Sequence, residues 1–229
     1  MPLLPRRFER LKAVLDCRMA DLTILIEHVE KPHNLSAILR SCDAVGVLEA
    51  HAVSKQGSTP TFNSTAQGSQ KWVKLKEHKC IKSAVEELKA KKFKIYGTHL
   101  NKNARDYRKC DFTGPTAFVL GAEKWGLSDL AKDLMDEGIF IPMRGMVQSL
   151  NVSVAAAILL FEALRQRQEV QIVPKAGEGL PKELYEQIIF EWSYPQVAAW
   201  CKREGKRYPK LNQNGEIIDS IPRTIKLRC

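Results

Sequence analysis

The sequence predicts an α/β domain: a parallel β-sheet with helices on both faces and a short helical extension at each end. Three observations carry this expectation. Short apolar runs alternate with helical patterns from residue 22 to residue 167, the order produced when each strand is followed by a helix that crosses back over the sheet. The 229 residues are 44% apolar, enough for one large packed core. No internal repeat or low-complexity tract points to another architecture.

Pro5–Asp16 reads as a short basic amphipathic helix through Phe8, Leu11, Val14 and Leu15. Leu22–Glu27 is the first strand. In the helix expected over Asn34–Val45, the residues Leu35, Ile38, Leu39, Cys42 and Val45 make one apolar face, with Gly46 as its C-terminal cap. Arg40 lies off that stripe. Strands follow at Val47–Val53 and Trp72–Leu75, then a helix at Ser83–Lys91 and strands at Phe93–Thr98 and Thr116–Gly121. A helix at Leu127–Met135, a strand at Ile139–Met143 and an alanine-rich helix at Leu150–Arg167 complete the domain. Pro174 to Pro181, with Gly177 and Gly179, reads as a linker to two more helices, Lys182–Trp192 and Gln196–Arg203. Their apolar residues need a surface to cover, most simply the main domain. The expected division is a basic extension over residues 1–20, a catalytic domain over 21–168 and a basic helical extension over 169–229.

The formal net charge is +10, which suggests an anionic partner, and nucleic acid is the commonest one. Residues 1–20 and 171–229 hold +6 of it, and the segment Cys201–Lys210 sets five cations and one acid beside an aromatic ring. That segment could equally be a solvated helix face and tail. The six cysteines and five histidines are dispersed without metal-ligand spacing, so neither a metal site nor a disulfide frame is expected. No apolar run is long enough to span a bilayer and the N-terminus has no signal-peptide core. A cytoplasmic protein with no membrane partner is therefore expected.

Two stretches carry the chemistry. Ile141 to Val154 runs from an apolar strand through a loop bearing Gln148, Ser149 and Asn151 into a helix. Ser149 or Asn151 could cap that helix or face a ligand. Upstream, the first strand leads into Lys31-Pro32-His33-Asn34 with no glycine, which argues against a dinucleotide-type cofactor loop.

Together with Phe118–Leu127, these segments resemble, in order, the three signature motifs of the SpoU (TrmH) family of SPOUT RNA ribose methyltransferases. The motifs span about residues 20–168 of the sequence. The N-terminal basic helix and a tail containing Asn214-Gly215-Glu216-Ile217 further resemble the bacterial branch that methylates the 2′-hydroxyl of guanosine-18 in the tRNA D-loop. The resemblance implies a trefoil-knotted α/β fold, S-adenosylmethionine as methyl donor, tRNA as substrate and a homodimer with active sites at the subunit interface.

It also implies roles. Arg40 carries over as the catalytic residue. A guanidinium with a pKa above about 12 is no base, so a cation that holds RNA phosphate and stabilises the developing alkoxide suits it better. Asn34 would orient Arg40 or the ribose, or cap its own helix. Glu123 would pair with Arg40 or another cation, and Ser149 and Asn151 would meet the methionine end of the cofactor or the catalytic arginine. Thr98, His99, Leu100, Gly121, Ile141, Met143 and Leu150 would bind the cofactor, the apolar ones about adenine, or would simply be core. Arg165, Arg167, Lys202, Arg203, Lys206 and Arg207 are candidates for RNA contact, although cations also favour a helix C-terminus. The competing readings are a relative of the same chemistry acting on ribosomal RNA, and a non-catalytic RNA-binding protein of the same fold.

Overall fold

A computed structural model of the chain describes residues 3–29, 31–53, 71–99, 103–122, 125–174 and 179–219. The fold divides into two compact units, Met19–Val173 and a second made of Met1–Arg18 with Pro174–Cys229. Glu123, Leu100 and Gly177 lie outside the described residues.

The central unit is a seven-stranded sheet with every strand pair parallel. Its strands are β1 (Leu22–Glu27), β2 (Glu49–Val53), β3 (Lys74–His78), β4 (Lys94–Thr98), β5 (Arg105–Asp106), β6 (Thr116–Leu120) and β7 (Glu137–Phe140), in the order β3-β2-β1-β6-β4-β7-β5. The helices are α2 (Pro32–Val45), α3 (Ile81–Ala90), α4 (Asp129–Leu134) and α5 (Val152–Glu169), after the N-terminal α1 (Pro5–Asp16). Side chains that alternate along each strand supply two separate cores. Ile24, Ile26, Tyr96 and Phe118 join the apolar stripes of α2 and α5 on one face. Leu25, Ile95, Ala117 and Val119 join α3 and the start of α4 on the other. Helices on both faces, as expected, are what an all-parallel sheet requires.

Most element boundaries fall within two residues of the expectation. Gly46 does cap α2, in the left-handed conformation at φ +88°. At the sheet edges the match is poorer. β3 lies later than Trp72–Leu75 because an edge strand whose only apolar residue is Leu75, among Lys74, Lys76, Glu77 and His78, has little apolar pattern to mark it. β5 has no counterpart among the expected strands: its two residues are Arg and Asp, held by pairing with β7. β7 starts earlier, at Glu137, and ends before Pro142, which has no N–H to give a ladder.

Arg167 requires a correction. Expected at an RNA-facing surface, it is 1% exposed. Its Nη1 donates to Asp21 Oδ1 at 2.6 Å, Nη2 to the carbonyls of Gly114 at 2.7 Å and Asp21 at 3.1 Å, and Nε to the Phe112 carbonyl at 3.1 Å. The reason is helical phase. Ala156, Leu159, Leu160 and Ala163 form the buried stripe of α5, and Arg167 falls four residues after Ala163 on that same face. A planar guanidinium has donors enough to satisfy carbonyls from several segments at once.

The second unit joins the two ends of the chain. α1 packs on α6 (Lys182–Ser193), and α6 on α7 (Pro195–Arg203). Phe190 stacks on Tyr208 with centroids 4.9 Å apart, and the Tyr194 hydroxyl donates to the Gly215 carbonyl at 2.9 Å. Gly215 lies at φ +81°, and a Cβ there would come within 2.4 Å of the Phe8 ring. The turn at Gly215 therefore closes over the first helix by a contact that only glycine permits. The buried Arg18 guanidinium lies 5.5 Å from the Trp192 ring centroid in the same unit.

Arg167→Met should keep the volume of the side chain but strand the carbonyls of Phe112 and Gly114. A loss of about 3 kcal/mol in stability is expected, read as a lowered Tm, with RNA affinity measured well below that Tm unchanged.

Candidate active site

In a parallel sheet the carboxyl ends of all strands share one rim, and the loops leaving that rim are where α/β proteins bind ligands. Here they enclose a cavity of about 900 Å³, within the usual range for a small-molecule site. Thr98 and His99 reach it from the end of β4, Leu120, Gly121, Ala122 and Gly126 from the turn after β6, and Ile139 to Met143 from β7. Gly145 to Leu150 supply the remaining wall, with Val152, Ala155 and Leu159 of α5 behind them.

All of the expected cofactor residues within the described chain thus border one cavity: Thr98, His99, Gly121, Ile141, Met143 and Leu150. Ser149, expected to be catalytic, lines it too and is exposed. The Thr98 hydroxyl donates to the Val119 carbonyl at 3.1 Å, and the His99 N–H to the Ile139 carbonyl at 3.1 Å. Those bonds tie the β4 loop to its neighbours on either side. Leu120, Ala122, Gly126, Ile139, Met146 and Val147 line the cavity as well, although sequence reasoning missed them. All but Ile139, which lies in β7 just before the third motif, are within the motif segments, so the signal was position in the motif rather than residue type.

The turn after β6 is tight. The Gly126 N–H donates to the Ala122 carbonyl at 2.8 Å, Gly126 takes φ +66°, and a Cβ on Gly121 would sit 2.1 Å from the Gly126 carbonyl carbon. Glycine at position 121 lets backbone pass against backbone and leaves main-chain groups at the cavity wall.

Asn34 and Asn151 join the first and third motifs. Asn151 Nδ2 donates to Asn34 Oδ1 at 3.2 Å, across 117 residues of sequence. The Asn151 Oδ1 meanwhile accepts the Ser153 N–H at 2.8 Å and the Ser153 hydroxyl at 2.6 Å, so this residue caps α5 as well. The two readings of Asn151 are therefore one arrangement: the carbonyl oxygen caps and the amide nitrogen links. Asn34 is 2% exposed and does not cap its helix, because α2 starts at Pro32 with Lys31 in the capping position. Arg40 is exposed on the same helix, away from the buried stripe, and about 9 Å further along its axis than Asn34.

The remaining cations differ from one another. Arg165 is exposed but held by Glu162 at 2.8 Å and by Glu169. In the terminal unit Lys202 pairs with Glu191 at 2.9 Å, which raises the ammonium's pKa above its ordinary value, and Arg203 pairs with Glu204 at 3.0 Å. Lys206 lies 4.8 Å from the Trp200 ring centroid, and Arg207 is exposed. Burial therefore separates Arg167 from the other five candidates.

The cavity is lined by apolar residues such as Leu120, Ile139, Ile141 and Leu150 together with the polar Thr98, His99, Gln148 and Ser149, a mixture that suits a purine ring joined to an amino-acid chain. S-adenosylmethionine, the cofactor implied by the motifs, has that chemistry. Residues 21–161 match the SpoU rRNA Methylase family and residues 165–220 match the family's C-terminal segment, described as SpoU, rRNA methylase, C-terminal. The chain is 54% identical over 186 residues to a tRNA (guanosine(18)-2′-O)-methyltransferase of Thermus thermophilus, covering 81% of this chain and 95% of that protein. Among solved structures, the A. aeolicus TrmH/SpoU tRNA modifying enzyme superposes with a TM-score of 0.77 at 39% identity, over 84% of this chain and 97% of that one. The SpoU methyltransferase AviRb of Streptomyces viridochromogenes, solved in complex with AdoMet, gives 0.60 at 28% identity over 68% and 64% of the two chains.

Gly121→Ala tests the tight turn. A methyl group there must push the Gly126 backbone aside, so affinity for S-adenosylmethionine measured by calorimetry should fall roughly tenfold or more, with circular dichroism still showing the folded sheet.

Proposed function

The chain belongs to the SpoU methylase family, and from that premise we propose that it is an S-adenosylmethionine-dependent tRNA (guanosine-18-2′-O)-methyltransferase. The observation that carries this reading is that the second and third motif segments line one cavity at the carboxyl rim of the sheet while the first is tied to the third by the Asn151–Asn34 hydrogen bond. Close similarity to a tRNA-directed relative along nearly the whole of that relative supports tRNA over ribosomal RNA as the substrate. The trefoil knot follows from the family rather than from the strand order.

S-adenosylmethionine, when bound, supplies a methyl group on a sulfonium, open to in-line displacement. What the chain itself must do is align a ribose hydroxyl with that methyl and stabilise the oxygen as its proton leaves. Thr98, His99, Gly121, Ile141, Met143 and Leu150 hold the cofactor, with Leu100 of the same β4 loop. Asn34 and Asn151 lock the first and third motifs in one geometry. Arg40 holds the RNA backbone and faces the growing negative charge of the oxygen. Glu123 and Ser149 complete the polar set around it.

Two further features belong to the proposal. The enzyme acts as a homodimer in the cytoplasm. Met146 and Val147 of the cavity lining are 99% and 62% exposed, and Val154 and Phe161 stand out from α5 at 46% and 51%, apolar side chains that a second subunit would cover. Among the described residues no helix is long and apolar enough to cross a membrane. The basic terminal unit holds tRNA through Lys202, Arg203, Lys206 and Arg207, with Arg165 of the central unit joining after exchange of its glutamates for phosphate.

Incubation with S-adenosylmethionine and bulk tRNA, followed by mass spectrometry, should place one methyl on the ribose of guanosine-18. Label confined to ribosomal RNA would overturn the target, and a methylated base would overturn the chemistry. Arg40→Ala should lower kcat by about a hundredfold or more, with cofactor affinity and Tm near wild type, since Arg40 buries nothing; activity within a few-fold would remove it from the mechanism.

Truncation is the wrong test of the basic tail, because Tyr208 and Gly215 are packing residues of the terminal unit. The combined exchange Arg203→Gln, Lys206→Gln and Arg207→Gln leaves that packing in place. It should weaken tRNA binding and flatten the log–log salt dependence by roughly 0.7–0.9 for each phosphate no longer neutralised, and an unchanged slope would assign RNA binding elsewhere.

A further inference from the structure

Glu27 ends β1 with a side chain that is 1% exposed. Both carboxylate oxygens are used by one residue: Oε2 accepts the Ser128 N–H at 2.9 Å and Oε1 accepts the Ser128 hydroxyl at 2.6 Å. The Ser128 oxygen in turn accepts the Ala131 N–H at 3.1 Å and so caps α4. A buried carboxylate is costly unless hydrogen-bonded, so the position of Ser128 and the burial of Glu27 are fixed together.

What lies before Ser128 gives this contact its meaning. Ile26 pairs with Leu120 in the β1–β6 ladder, which brings Glu27 level with Gly121, the first residue beyond β6. The chain enters the tight turn at Gly121 beside Glu27 and leaves it, after Gly126 and Leu127, at Ser128 on the carboxylate of that same Glu27. Leu120, Gly121, Ala122 and Gly126 line the cavity, whereas Glu27 is not among its lining residues. The carboxylate therefore reaches the ligand site only through the backbone it holds. In the other direction, β1 continues into Lys31–Asn34, so one buried acid joins the strand that feeds the first motif to the turn of the second.

Resting on the proposed methyltransferase function, we infer that Glu27 is a positioning residue for the cofactor cavity: it holds the entrance and exit of the turn around Gly121 and Gly126 in the shape that S-adenosylmethionine meets. It touches neither the cofactor nor the reacting atoms. Its loss acts on cofactor affinity and spares both the chemical step at saturating cofactor and the grip on RNA.

The test uses the full-length protein and four measurements: S-adenosylmethionine Kd by calorimetry, KM for S-adenosylmethionine, kcat at saturating cofactor, and tRNA Kd by fluorescence anisotropy without cofactor. Glu27→Ala should raise the cofactor Kd and KM about tenfold or more, with kcat within about threefold and tRNA Kd within about twofold of wild type. Ser128→Ala keeps the N–H bond and loses the hydroxyl one, so an intermediate rise of roughly threefold is expected. Glu27→Gln, which can still accept from the N–H and donate to the hydroxyl oxygen, should restore wild-type affinity to within about twofold. Unchanged cofactor affinity in folded Glu27→Ala overturns the assignment, as does a parallel loss of cofactor and tRNA affinity, the mark of general damage. Should Glu27→Ala fail to fold, wild-type affinity in Ser128→Ala overturns it equally. Wild-type protein that binds no S-adenosylmethionine would overturn the functional reading instead.

Discussion

Seven parallel strands present two apolar faces, and the need to bury both is the constraint on which the rest of the central unit depends. α2 and α5 cover one face and α3 and α4 the other. Because each parallel strand needs a crossover before the next, the loops leaving the carboxyl rim are held at both ends by packed elements. The cavity is the space those loops leave. Its walls come from segments far apart in sequence, and Asn34 with Asn151, like Glu27 with Ser128, are side-chain contacts that keep neighbouring segments in register at the rim.

Charge in this protein serves two ends that sequence alone does not separate. Arg165 and Arg167 stand two residues apart near the end of α5, and both invite an RNA-binding reading in a chain of net charge +10. One faces water between two glutamates. The other bonds three main-chain carbonyls and Asp21, fastening the end of α5 to the start of β1 and the approach to β6. A rotation of about 200° along the helix makes the difference between a surface group and a cross-link inside the fold.

The parts of the fold that were legible in the sequence are those with a strong period or a committed residue. The stripe of α2, Gly46 at its end and the apolar runs of β1 and β6 show their structure directly, because burial on a helix or sheet face leaves a repeat in the sequence. β5 could not be read, since two polar residues pair only by virtue of a neighbour that the sequence does not name. The cavity was legible through two of its motifs and the strand end before them: Gly121 and Leu150 of the motifs and Thr98 at the end of β4 meet there, though nothing in their side chains announces it. Glu27 gives no signal for the opposite reason. It ends an apolar strand as a lone acid, and its meaning depends on Ser128, more than a hundred residues on, a separation that no local pattern spans.

The closure of Gly215 over Phe8 has a consequence for how the molecule is made. α1 leaves the ribosome ahead of the central unit, and its partners α6 and the glycine turn leave after it. Contacts of α1 with α6 and with the Gly215 turn close a loop that contains the whole central unit, which is slow and must await synthesis of those later segments. Met19–Val173, by contrast, holds its own sheet and both of its cores and can pack before the C-terminal helices emerge. A nascent chain would thus carry a formed cofactor cavity while its basic terminal unit was still unassembled, so that the two are present together only after the Gly215 turn has emerged.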